Sequence, residues 1–157
     1  MIDVQLDIGD ASGLVDEERI RRLCCFFQTE MGLPKECEVS VSFVDDERMR
    51  ELNRGFRGID RTTDVLSFEC DSLDDGFPSG DGEAHVLGDI VVSPDVATRQ
   101  AAELGHGFHD EVDLLVMHGL LHLCGYDHVD EDDAKVMEPL QDGLMAKWRT
   151  TRDGHGK

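Results

Sequence analysis

Positive charge is scarce in this sequence. Fifteen Lys and Arg stand against 35 Asp and Glu, a formal net charge of −20, and only four of the fifteen are lysines. Such a balance excludes a broadly basic, polyanion-coating protein and leaves an anionic partner only where cations gather locally. Long apolar runs are also missing: none approaches the ~18 residues of a membrane span, which excludes a membrane partner of that kind. Met1 leads straight into the alternating run Ile2-Asp3-Val4-Gln5-Leu6-Asp7-Ile8, without the charged and apolar regions of a signal peptide, so the expected location is the cytosol. The five cysteines, Cys24, Cys25, Cys37, Cys70 and Cys124, are odd in number and show no repeated C-x-x-C spacing. A disulfide framework and an all-cysteine zinc site are thereby excluded, and buried thiols are expected. Internal repeats, a glycine-rich phosphate loop and heptads are absent as well.

What is present fits one domain over residues 1–157, large enough to form a core without staples. Residues 2–8 and 38–44 alternate with period two and read as strands, and 86–93 is strand-like. Asp16 is placed to cap a helix stopped by Gly32-Leu33-Pro34, and Asp45 to cap a short helix through Asn53, after which 54–62 reads as a loop. Pro94 starts another helix, which Gly105 ends. Residues 70–84 mix acids with glycine and proline and read as a flexible acidic loop. Asp130 is placed to cap a last helix through Ala134, Met137, Leu140, Leu144 and Trp148, with 150–157 as a fraying tail. Strands and helices mix without a strict βαβ rhythm. The expectation is an α+β domain: a small mixed sheet of four strands with packed helices, one of them carrying a metal site across one face.

That site is read from His118, His122 and His128. Histidines four apart on a helix share a face, and Gly125 frees the chain to end the helix and turn back, bringing His128 to the same ion. Three imidazoles leave a fourth tetrahedral position open, the arrangement of a catalytic zinc, so one Zn2+ per chain is expected. The spacing matches the metzincin pattern except that Gly119 stands where zincins carry their basic glutamate. A peptidase therefore lacks its general base. Asp127 either serves as a base or orients an imidazole, with the second role favoured. Cys124 is a further possible donor. His85, His106 and His109 lack ligand spacing and read as surface or capping residues, and Asp110, Glu111 and Asp113 offset the positive end of the metal helix.

The string His118-Gly119-Leu120-Leu121-His122-Leu123-Cys124-Gly125-Tyr126-Asp127-His128 resembles the signature H-G-x-L-H-L-x-G-Y-D-H of the YbeY family, bacterial endoribonucleases that mature ribosomal RNA. Every specified position is present. A second stretch, Asn53 to Phe68, resembles the family's aromatic-Arg-Gly loop and T-D-V-L-S-F strand. The resemblance runs from Glu51 to Met137. It implies a zincin-like architecture, a zinc-dependent, single-strand-preferring endoribonuclease acting on the 3′ end of 16S RNA, and partners among small-subunit or assembly proteins. It also places Arg57 at the catalytic cleft, where a guanidinium would fork onto phosphate oxygens. Arg48, Arg50, Arg54, Arg57 and Arg61 fall within fourteen residues. Arg48 and Arg50 read as a solvated helix face paired with neighbouring acids, whereas Arg54 and Arg61 would join Arg57 in a basic lip. The rival readings are a zinc peptidase or other zinc hydrolase, and a non-catalytic ribosome-assembly factor fixed by zinc. Oligomeric state is not readable.

Overall fold

The structure, a computed structural model, describes residues 2–9, 13–69, 85–126 and 131–155. In chain order the elements are β1 (Asp3–Asp7), α1 (Glu17–Met31), β2 (Cys37–Phe43), α2 (Asp46–Arg57), β3 (Val65–Glu69), β4 (His85–Val92), α3 (Pro94–Leu104), α4 (Phe108–Leu123) and α5 (Glu131–His155). Period-two patterning makes the sheet. In β2, Cys37, Val39, Val41 and Phe43 are buried and the residues between them are half-buried. Parallel neighbours β1 and β4 flank β2, and β3 closes the sheet as an antiparallel edge in the order β1-β2-β4-β3. Glu38 pairs with Val86 but Val39 pairs with Gly88, so β4 holds one extra residue at a bulge, and Gly88 takes a φ of 144° there. The bulge resets the alternation, which is why Leu87 and Ile90, three apart, are both fully buried.

One face of the sheet carries the main core, where α1 and α4 meet the strands and α5 packs on those two helices, through Ile20, Leu23, Phe27, Leu120, Met137 and Trp148. Val91, between the inward Ile90 and Val92, faces the other way and joins Met49 of α2 and Leu66 of β3 in a second, smaller cluster. This is the expected mixed four-stranded sheet in an α+β domain. The expected caps also form. Asp16 accepts from the Arg19 amide and Asp45 from the Arg48 amide, while Gly32 and Gly105 end their helices in the left-handed conformation; Ser93, read as the end of a strand, also caps α3 by accepting from the Val96 amide ahead of Pro94. The 70–84 stretch and Asp130 lie outside the described residues. Helix α5 continues to His155, through most of the stretch read as a tail.

Two expectations are corrected. Helix α2 does not end at Asn53 but runs to Arg57, so Arg57 is a helical residue and not part of a loop. A mid-helix Gly55 costs only about 1 kcal/mol against alanine, and it is Gly58, at φ 70°, that supplies the left-handed stop. Asn53 then anchors the segment beyond, its Nδ2 donating to the Arg61 carbonyl at 2.8 Å. The second correction concerns Asp113. It lies past the first turn of α4, whose acidic residues are Asp110 and Glu111, and it is buried, receiving Arg19 Nη2 at 2.7 Å and Trp148 Nε1 at 2.9 Å, which ties α1, α4 and α5 together. A lesser tether joins α2 to α3. Asp46 accepts from Arg99, Ser93 and Thr62, and the Arg99 hydrogen bond above all holds its carboxyl below the usual range. Because the folded pKa is lowered, this contribution is present above the ordinary carboxylate pKa and fades as pH falls through the lowered value.

Candidate active site

From Glu111 to Leu123, α4 is buried at every position except Leu114, His118 and His122, which are half-buried. Their spacing of four puts them on one stripe, the single side of the helix not packed into core. The stripe opens into a cleft of about 850 Å³. Within it the His118 and His122 Nε2 atoms face each other at 3.0 Å, with ring planes inclined by 76°. Gln141 of α5 fixes the first ring, because its amide Oε1 accepts from His118 Nδ1 at 2.7 Å and so leaves the His118 Nε2 lone pair directed into the cleft. Beyond Leu123 the chain turns back at Gly125, whose φ is 95°, with the Gly125 amide donating to the His122 carbonyl. Asp127 and His128 come next in the sequence and lie outside the described residues.

This donor pair fits the expected ion. Two nitrogens bound tetrahedrally at 2.0–2.1 Å stand roughly 3.3 Å apart, close to the separation found here. Among the described residues no group of three His, Cys, Asp or Glu is assembled, so the third donor rests on His128 from the sequence. Cys124 packs against the core and is not among the residues that line the cleft, and burial pushes its thiol up to about 12. Burial likewise raises Cys24 to about 12 and Cys37 to about 11, so these two are the buried thiols expected, whereas Cys25 is half-buried and Cys70 lies outside the described residues.

Gly119 has a packing reason. A Cβ there would lie 2.9 Å from Ile90 Cγ2, 3.1 Å from Cδ1 and 3.2 Å from Cγ1, and Ile90 is fully buried in β4. The glycine lets α4 settle onto the sheet beneath the histidines, and no carboxylate fits at that position. Gly119→Ala is expected to be destabilising, since overpacking costs about 1–3 kcal/mol while better helix propensity returns at most about 1 kcal/mol. Denaturant unfolding measures it, and a stability equal to or above the parent's would contradict the contact.

The opposite wall comes from β3 and the end of α2, which bring Arg57 and Phe56 to the cleft. Arg57 is exposed and has no acidic partner among the described residues. Its neighbours differ. Arg48 pairs with Glu51 at 3.1 Å and Arg50 with Asp60 at 2.8 Å, the solvated face the sequence suggests. Arg54 lies 3.8 Å from Asp60, and neither it nor Arg61 lines the cleft, so the expected three-arginine lip reduces to Arg57 alone. Asp64, just ahead of β3, also lines the cleft and accepts from the Val65 amide and from Gln100. At the far end of the cleft, buried Glu111 accepts from His106 Nε2 at 2.6 Å. His106 is thus the partner of a buried carboxylate and not a surface residue.

The profile of the Endoribonuclease YbeY family matches residues 11–149. A Thermobifida fusca protein named Endoribonuclease YbeY is 42% identical over 147 residues, covering 93% of this chain and 95% of that protein. Its Staphylococcus aureus namesake is 42% identical over 153 residues, 94% of this chain and 98% of its own. This chain belongs to the YbeY family. The solution structure of TM1509 from Thermotoga maritima shares its fold, with a TM-score of 0.58 and 29% identity over 96% of this chain and 93% of that one.

The YbeY signature divides its labour in this chain. His118 and His122 face the cleft, Gly119, Leu121 and Leu123 are buried, and Gly125 makes the turn. Gln141 escapes a sequence reading, because its partner lies twenty-three residues away on another helix. Glu111 leaves a trace that was readable, since it stands seven residues, two helical turns, before His118 on the same stripe.

Proposed function

We propose that the protein is a zinc-dependent endoribonuclease that cuts single-stranded ribosomal RNA, with His118, His122 and His128 holding the ion. The observation that carries this reading is the pair of facing Nε2 atoms, 3.0 Å apart, in the cleft that also receives Arg57. The ion held by these residues would supply Lewis acidity toward a phosphoryl oxygen and would ease deprotonation of the nucleophile, a water or the ribose 2′-hydroxyl. Arg57 offers two parallel N–H donors to phosphate oxygens and offsets the charge that builds there during cleavage. Gln141 holds the His118 tautomer, and Asp127 does the same for its neighbour His128 or takes the proton. The substrate assigned is the 3′ region of 16S RNA, with small-subunit or assembly proteins as partners and the cytoplasm as the compartment. Support for this comes from the family resemblance, and no helix among the described residues is long and apolar enough to cross a membrane. Peptide hydrolysis is disfavoured by Ile90, which occupies the space a basic carboxylate at position 119 would need.

Two measurements test the roles. Arg57→Ala is expected to slow cleavage at saturating RNA while leaving metal content unchanged, and a variant as fast as the parent would remove Arg57 from the reaction. With one arginine on the cleft, the slope of log K against log salt should be near about −0.7, not the −2 of a three-arginine lip. Gln141→Leu, which removes the acceptor and keeps the bulk, should weaken zinc affinity by about 10–100-fold in competition with a chromophoric chelator.

A further inference from the structure

A chain with a net charge of −20 and one arginine on its cleft cannot take most of its affinity for a polyanion from charge. The cleft offers something else. Phe56 is 67% exposed, and of the exposed large apolar side chains among the described residues, Leu14, Phe56, Leu104 and Val136, it is the most exposed and alone lines the cleft. It directly precedes Arg57 on the last turn of α2. Phe68 of edge strand β3 supports it, with centroids 4.8 Å apart and planes inclined by 57°, so the ring is held in place and still presents its surface to solvent. An exposed ring costs free energy in water unless something covers it, and the cleft it lines also presents Arg57, His118 and His122 together with the carboxylates of Asp64, Glu69 and Glu111.

We propose that Phe56 is a stacking platform for one base of the RNA, adjacent to the phosphate that Arg57 receives. The inference rests on the endoribonuclease reading and adds a subsite to it. Every base has a π-face, so stacking binds without regard to sequence, and it adds affinity that salt does not screen. It also demands an unstacked base, which a duplex does not present, so the same residue favours single strands. A protein partner on this ring is the alternative outcome, and the kinetics separate the two.

The test is steady-state cleavage of a single-stranded RNA oligomer by the parent and by Phe56→Ala, Phe56→Leu and Phe56→Tyr. The alanine and leucine variants should raise KM by roughly 5- to 100-fold with kcat little changed, and tyrosine should behave as the parent. Leucine separates stacking from general apolar contact, and the exposed position leaves folding intact, which thermal unfolding checks. A second arm removes single bases from the oligomer around the cut bond. One abasic position should impair the parent about as much as Phe56→Ala does and should impair the alanine variant no further. The proposal falls if leucine matches the parent, or if every abasic penalty is the same in parent and alanine variant. A parent that cuts RNA with all Phe56 variants alike sinks the platform alone, whereas a parent that cuts no RNA sinks the nuclease reading and the platform with it.

Discussion

Asp113→Ala should lower stability by about 3 kcal/mol, the low end of the range for breaking a buried ion pair by removing one partner. The low end applies because Arg19 is 17% exposed and keeps Asp110, 3.0 Å away. Trp148 is less fortunate: its indole N–H is buried and loses the acceptor that Asp113 Oδ2 provides at 2.9 Å. For a chain of this size the loss corresponds to a fall in Tm of roughly 6–12 °C. Asp113→Asn keeps an oxygen for the indole and should recover part of the loss. Trp148 is the chain's one tryptophan, so its emission reports the packing of α5 directly. A change below about 1 kcal/mol in denaturant unfolding would mean that the network orders the helices without stabilising them.

His122→Ala should empty the metal site. A second-sphere partner is worth about 10–100-fold in metal affinity, so removing a ligand should exceed that and take RNA cleavage with it. The readout need not be catalytic. Zinc at a thousand times its Kd raises the unfolding free energy of the parent by about 4 kcal/mol, which appears as a zinc-dependent rise in Tm. That rise should vanish in His122→Ala, while the metal-free Tm stays near the parent's because His122 is only half-buried. Retention of a full equivalent of zinc against a moderate chelator would remove His122 from the ligand set.

Much of the scaffold is legible in local sequence because its signals are local. Asp16 and Gly32 bracket α1, Ser93-Pro94 and Gly105 bracket α3, and the alternation of β2 shows which face is core. The end of α2 was not legible, because Gly55 and Gly58 are equal candidates for a left-handed stop until the chain chooses between them. The part of a residue's role that depends on distant partners was not legible. Asp113 meets Arg19 across ninety-four residues, and Gly119 owes its identity to Ile90 on a strand below it. At the site, the spacing of His118 and His122 was enough to put both imidazoles on one stripe, and the structure brings their Nε2 atoms to 3.0 Å on one wall of the cleft. The arginine cluster misled, because Arg48 turns to Glu51, Arg50 and Arg54 turn to Asp60, and Arg61 lies beyond the helix end, which leaves only Arg57 of the five on the cleft.

The most direct measurement follows zinc content and cleavage of a single-stranded RNA oligomer on one preparation as a chelator is titrated in, with casein as a parallel substrate. Bound zinc and RNA cleavage should fall together from one equivalent per chain, both should return when zinc is restored, and casein should remain intact throughout. RNA cleavage that persists at full rate after the metal has gone, or casein hydrolysis by the zinc-loaded protein, would contradict the account.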